Sequence, residues 1–385
     1  MKLLGITGLC FALITAACAH VPEMPAEEEA VAMVDTAEPA AETDPYVAGR
    51  EIVTDMSRIV TPNGVDETYE VTLGGTQQVI NVRGADRDNP MILFVHGGPG
   101  STEMPVAWMF QRHWEDYFTV VQWDQRGAGK SYPLNDLEAL GPTLAPDRYR
   151  DDAIELIEFL KTRYGKEKVI LVGHSWGSVV SLSVAAKRPD LLYAYVGIGQ
   201  VVDFLENEKV GYAWTLARAR ADGNAEAIAD LEGIAPYPGP EGIALEKTAI
   251  ERKWSIHYGA LAAGRSDAEY YFHAGRLAPG FDMQDRKDMD AGSAFTMAHM
   301  WPQLAPFNFN DLHKVNVPVF LFMGRHDYTT PPEIAADWIG KLEAPQKQLV
   351  YFEHSAHLPM VEEPGRVLVA LLELARPLAM EASAE

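Results

Sequence analysis

KVILVGHSWG, residues 168–177, is an apolar run that ends in a serine flanked by two glycines. Four consecutive aliphatic residues, Val169 to Val172, suit a strand buried on both faces. Gly173-His174-Ser175-Trp176-Gly177 then has the G-x-S-x-G spacing of a nucleophile elbow, a sharp strand-to-helix turn that exposes the serine hydroxyl. The glycines are required because side chains there would collide with neighbouring elements. The same turn sets Ser175 near a helix N-terminus, whose partial positive charge favours a developing anion.

Outward from this stretch the chain alternates between strands and helices. Upstream, from Glu51 on, strand-like alternation is read through ETYEVTL and then GGTQQVINVRG, with Gly74-Gly75 as the turn. MILFVHGG (91–98) and FTVVQWDQRG (118–127) are further short apolar runs closed by glycine. Helical spacing of Ile154, Leu156, Ile157 and Leu160 predicts a helix over Asp147 to Tyr164, stopped by Gly165. Downstream of the elbow a helix is predicted to Lys187, then a strand at YAYVGIG (193–199). Residues 203–310 differ: they are helical, rich in Ala, Glu, Arg and aromatics, and broken by IAPYPGPEG (234–242). The strand pattern resumes at VPVFLFMG (317–324) and KQLVYFE (347–353), with a helix between them and one after Glu363. Such alternation predicts an α/β fold, a mostly parallel doubly wound sheet over 46–202 and 311–385, with 203–310 inserted as a helical cap.

An elbow serine needs a base and an orienting carboxylate downstream, in the order Ser, Asp, His. Asp327, in GRHDYTTP (324–331), follows one apolar strand, and HSAHLPMVEEP (354–364) places two histidines after the last. His357 is the expected base; His354, nearer the strand, lines the loop. His96-Gly97-Gly98-Pro99-Gly100 ends an earlier strand, and the N–H groups of Gly97 and Gly98 with that of Trp176 are the expected oxyanion hole.

The bulk composition narrows the partners. Of 385 residues 47% are hydrophobic, enough for a sizeable core, and 32 basic against 55 acidic residues give a net charge of −23. That charge repels nucleic acid and offers anionic lipid no polybasic patch. The partner expected is a small molecule or short peptide; the oligomeric state stays open. MKLLGITGLCFALITAAC (1–18) reads as a secretory signal, with Thr15-Ala-Ala-Cys18 resembling a lipoprotein cleavage box, so lipid on Cys18 is the expected membrane contact and a periplasmic or membrane-anchored site the expected location. Residues 19–45 carry Glu23, Glu27, Glu28, Glu29, Asp35, Glu38, Glu42 and Asp44 without one Lys or Arg, and read as an acidic flexible tether. The only cysteines are Cys10 and Cys18, which leaves no disulfide or thiol nucleophile for the rest of the chain. His257, His273, His299 and His313 lack metal-ligand spacing, so neither metal nor other cofactor is expected. GAGKS (127–131) lacks the first glycine of a phosphate loop, Asp124 standing there instead.

HGGPG (96–100), WDQRGAGKS (123–131), GHSWGS (173–178), GRHDYTTP and SAHLPMVEEP, in this order, resemble the proline iminopeptidase family of α/β-hydrolases. The resemblance runs from about residue 60 to the end of the chain. It implies a capped serine peptidase that releases N-terminal residues, often proline, from short peptides without a metal. Prolyl aminopeptidases of the family hold the substrate ammonium with glutamates of a Trp-x-x-Trp-Glu and a Glu-x-His-Tyr-Phe segment. Trp254-Ser255-Ile256-His257-Tyr258 resembles the first with Tyr258 in the glutamate's place, and Ala268-Glu269-Tyr270-Tyr271-Phe272 resembles the second and offers Glu269. A carboxylesterase acting on small acyl esters is the alternative reading of the same triad.

Overall fold

The computed structural model describes residues 44–240 and 242–382. The expected signal segment with Cys18, and the tether up to residue 43, lie outside the described residues. Among the described residues are eight strands: β1 (Val65–Leu73), β2 (Thr76–Gly84), β3 (Met91–Val95), β4 (Thr119–Asp124), β5 (Val169–His174), β6 (Leu192–Ile198), β7 (Val319–Gly324) and β8 (Lys347–Phe352). Helix α1 (Val47–Met56) precedes them, and α2 (Leu137–Leu140) and α3 (Pro146–Tyr164) join β4 to β5. After the elbow comes α4 (Trp176–Lys187); then α5 (Phe204–Asp222), α6 (Ala225–Gly233), α7 (Leu245–His257), α8 (Glu269–Ala274) and α9 (Met283–Leu304) all lie between β6 and β7. Helix α10 (Pro332–Lys341) joins β7 to β8, and α11 (Pro359–Glu362), α12 (Pro364–Ala370) and α13 (Arg376–Ala382) follow.

The strands form one sheet in the order β1-β2-β4-β3-β5-β6-β7-β8. β1 and β2 are an antiparallel hairpin, β2 meets β4 antiparallel, and every pairing from β4 to β8 is parallel. Gly74 and Gly75 make the hairpin turn with φ of 53° and 79°, the paired positive values that a two-residue turn demands.

Period-two alternation sorts the central strands between two cores. Leu93, Val95 and Leu171 face one way, against Leu156, Ile157 and Leu160 of α3 and Val179 and Val180 of α4. Ile92, Phe94, Ile170 and Val172 face the other way, against Val367 and Ala370 of α12 and Leu371. Both faces of the central sheet are thus covered by helices, which is why β3, β4, β5 and β7 read as short apolar runs. None of the described helices is long and apolar enough to cross a membrane.

One element departs from the sequence reading. Residues 51–56 belong to helix α1, and the first strand starts only at Val65. No side chain of α1 is fully buried. Distant contacts hold the helix instead: Arg50 donates to the Arg276 carbonyl at 3.1 Å, and Arg276 donates to the Tyr46 hydroxyl at 2.8 Å. Alternation over so short a stretch does not separate a strand from a helix docked this way.

Candidate active site

The C-terminal ends of β3, β5, β7 and β8 meet at one rim of the sheet. The direction in which successive strands are added reverses between β3 and β5, since β3 leads outward to β4 on one side and β5 to β6 on the other. A crevice opens at such a switch point, and the elbow stands beside it. Ser175 has φ 53°, the one positive value at a non-glycine residue among the described residues. A Cβ on Gly177 would run into the Val95 carbonyl oxygen, and one on Gly173 into that of Gly177. The strained serine is held by its own N–H, donated to the Ile198 carbonyl at 2.9 Å, and by Ser178, which donates to the Ser175 carbonyl at 2.6 Å.

Asp327 and His357 come together after β7 and β8. Asp327 is fully buried, and its Oδ2 lies 2.8 Å from His357 Nδ1. The other oxygen, Oδ1, accepts from the N–H groups of Thr329 and Thr330 at 2.9 and 2.7 Å, while the Thr330 hydroxyl donates to Oδ2 at 2.7 Å. Four contacts therefore fix the carboxylate and, through it, the imidazole. His354 is exposed to solvent. Among the described residues no hydrogen bond joins the Ser175 hydroxyl to His357; in ligand-free sites this contact commonly tightens only around substrate.

The glycine loop closes on the elbow from the other side. A Cβ on Gly97 would sit 3.1 Å from Ser175 Cβ, so only backbone fits between them. His96 anchors this loop: its Nδ1 lies 2.8 Å from the Gly97 carbonyl, and Nε2 accepts from the Gln125 N–H at 3.2 Å. Burial lowers the His96 imidazole to about 4, so the ring is neutral at pH 7. Gln125 in turn accepts from the Trp176 indole at 3.1 Å. The N–H of Trp176 opens α4, where first-turn donors have no intrahelical acceptor.

Above Ser175 lies a cavity of about 130 Å³ lined by Gly98, Trp176, Thr330, Phe204, Leu245 and Trp301, among others. At roughly 30 Å³ per water it has room for about four waters, or one small side chain. Polar residues of the helical insertion also reach it: Asn207 and Glu208 from α5 and Arg252 from α7. Arg252 bridges two buried carboxylates, Glu208 and Glu251. Burial pushes the Glu251 carboxyl up, against the pull of Arg252. Asn207 Oδ1 and Trp301 Nε1 are buried with no partner among the described residues, one acceptor and one donor on the wall of the same cavity. A wider cleft of about 550 Å³ lies between α1 and Gly280 to Asp285 and touches none of Ser175, Asp327 or His357.

Neither residue expected to hold the substrate amine reaches this cavity. Glu269 opens α8 exposed to solvent, whereas Tyr271 and Ala274 are the buried residues of that helix. Two positions along a helix turn a side chain by about 200°, so Glu269 and Tyr271 point opposite ways. Tyr258 closes α7, packs against the His257 ring at 5.0 Å, and does not line the cavity. The acid that does line it, Glu208, and its buried neighbour Glu251, which shares Arg252, escaped the sequence reading. A buried polar stripe on an amphipathic helix has the same period as a solvated one. GAGKS runs into a 3₁₀ helix, Gly129–Leu134, in which the Lys130 N–H donates to Asp124 at 2.7 Å.

Residues 90–364 match the family described as the alpha/beta hydrolase fold. The chain is 30% identical over 299 residues to a probable aminopeptidase, YbaC, of Bacillus subtilis, covering 77% of this chain and 92% of that one. It is 34% identical to a proline iminopeptidase of Neisseria gonorrhoeae, covering 71% and 85%. The crystal structure of a proline iminopeptidase from Mycobacterium smegmatis superimposes with a TM-score of 0.61 at 18% identity, covering 82% of this chain and 100% of that one.

Proposed function

The chain belongs to the proline iminopeptidase family of α/β-hydrolases, and from that membership we propose that it is a serine aminopeptidase that releases small N-terminal residues from short peptides or aminoacyl amides. The observation that carries the reading is the buried Asp327–His357 contact of 2.8 Å beside the elbow serine. Ser175 Oγ attacks the scissile carbonyl carbon while its proton passes to His357 Nε2. Asp327 keeps the Nδ1 proton in place and stabilises the imidazolium. The oxyanion accepts from the N–H groups of Trp176 and of Gly97 or Gly98. His357 then protonates the leaving amine, and water, activated by the same imidazole, releases the acyl group from Ser175.

In this proposal the free N-terminus is received in the cavity, with Asn207 Oδ1 and the Glu208 carboxylate as acceptors. Glu208 brings a carboxylate oxygen to the cavity wall beside the unpartnered Asn207 Oδ1, two acceptors that suit an ammonium. A charge-assisted hydrogen bond contributes roughly 1.5–3 kcal/mol, or about ten- to a hundredfold.

The test compares kcat/KM for one aminoacyl amide with its amine free and acetylated. The free form is expected to lead by that factor, and Glu208→Gln to erase most of the lead. Ser175→Ala is expected to lower turnover at least a thousandfold with its thermal midpoint nearly unchanged. Equal rates for free and acetylated substrates, with rapid cleavage of small acyl esters, would replace this reading with that of a carboxylesterase.

A further inference from the structure

A second histidine lies directly behind the proposed base. His174, the residue before Ser175, is only 3% exposed, and both of its ring nitrogens face acceptors. Nδ1 meets the Glu103 carboxylate, and Nε2 lies 2.8 Å from the His357 carbonyl oxygen. A neutral imidazole carries one N–H and serves one acceptor; only the imidazolium donates to both. The two histidine rings lie 4.8 Å apart. Glu103 arrives from the loop just after the glycines that follow β3, is 2% exposed, and keeps its second carboxylate oxygen buried with no partner among the described residues. Tyr271 of α8 donates its hydroxyl to Glu103 Oε1 at 3.4 Å. One buried pair thus touches the glycine loop, the elbow, the His357 loop and the helical insertion.

We propose that His174, held as an imidazolium between Glu103 and the carbonyl of His357, is a positioning residue that fixes the general base for attack by Ser175. The proposal rests on the reading of His357 as that base. Apart from Glu103 and the His357 carbonyl, the titratable groups facing His174 are His96, Asp327, the His357 ring and, through Glu103, Tyr271. Burial works to strip the proton from His174, but the charge and hydrogen bond of Glu103, the His357 carbonyl and Asp327 outweigh it and raise the ring above its ordinary value. The pair is neutral as a whole, so it does not oppose the proton that His357 takes from Ser175. When pH rises through the raised value, one nitrogen of His174 loses its hydrogen. Either Glu103 or the His357 carbonyl then faces a bare lone pair, and the base loop loosens.

The experiment uses the full chain labelled with ¹⁵N-histidine and needs no substrate for its first part. At pH 7 both His174 nitrogens should show protonated shifts, assigned by their loss in His174→Asn. In Glu103→Gln the amide donates to Nδ1 while Nε2–H keeps the His357 carbonyl, so the fold survives and the ring reads as neutral. That variant should lose about three- to tenfold in kcat with KM moved less than about twofold, as expected for a mispositioned base. It should also lack the alkaline limb of the wild-type kcat profile. A neutral His174 in the wild type, or superimposable pH profiles, would overturn the proposal. A failed hydrolase reading would look different: a doubly protonated His174 in a chain that turns over neither amide nor ester, which also removes the positioning role.

Discussion

His96 illustrates what single buried groups do in this site. Its imidazole is 1% exposed and held at about 4 by burial, against an ordinary value of 6.5. A depressed histidine stabilises the fold above its unfolded value, and that contribution is lost as pH falls through the folded value. The window is therefore pH 6.5 down to about 4, and the full shift corresponds to roughly 3 kcal/mol. Asp124, fully buried, works in the opposite sense: burial pushes it from 3.8 up to about 6, so its contribution is present below 3.8 and lost as pH rises through 6. The two nearly cancel in the wild type. His96→Asn should expose the Asp124 term alone, so that urea midpoints rise as pH is lowered from 6.5 to 4.5. A midpoint whose pH dependence over that range is the same as in the wild type would contradict the assignment.

At the scale of elements, α9 decides whether the helical insertion sits down on the sheet. Thr296 donates to the Gly127 carbonyl at 2.9 Å, and Lys130 Nζ reaches Asp285 at 2.6 Å. Gly292 makes this approach possible, since a Cβ there would lie 2.8 Å from the Gly127 carbonyl oxygen and 2.9 Å from Tyr132 Cβ. Neither atom is the free end of a flexible side chain, so the helix itself has to move. Gly292→Ala should cost about 1–3 kcal/mol, read as a lower thermal midpoint. Because Met297 and Trp301 of the same helix line the cavity, the variant should also raise KM for a small aminoacyl amide more than it lowers kcat. An unchanged KM in a destabilised variant would show that α9 does not shape the substrate site.

For the whole molecule, Arg126 and Asp152 join parts that are far apart in the chain. Both are fully buried; Arg126 Nε and Nη2 reach the two Asp152 oxygens at 2.8 and 3.0 Å. Arg126 Nη2 also donates to the Leu73 and Gly74 carbonyls at 3.3 Å, and Gln78 donates to Asp152 at 2.9 Å. The pair thus ties the β1–β2 hairpin to the end of β4 and to α3. Arg126→Met takes the buried guanidinium from Asp152, which keeps only the partly exposed Arg148 at 2.9 Å as a cationic partner, and should cost about 1.5–3 kcal/mol in urea unfolding. The double variant Arg126→Met/Asp152→Leu should recover much of that loss. If it were no more stable than the single variant, packing rather than charge would be the cause.

Local rules made the catalytic framework legible in the amino-acid sequence. Apolar runs closed by glycine mark strands buried on both faces; Ser175 and Asp327 each follow such a run and His357 follows the last, partly exposed strand, so their order and loops are written along the chain. The elbow glycines are legible for the same reason, because their need is steric and local. Tertiary structure alone decided which polar side chains enter the cavity. Glu269 and Glu208 both lie on helices of the insertion, but the packing of α8 turns one to solvent and that of α5 turns the other beside Arg252. The pairing of His174 with Glu103, and the docking of α1 through Arg50 and Arg276, were equally hidden. Each is a contact between residues remote in sequence, and helical periodicity records that a face is polar without recording whether water or a buried charge meets it.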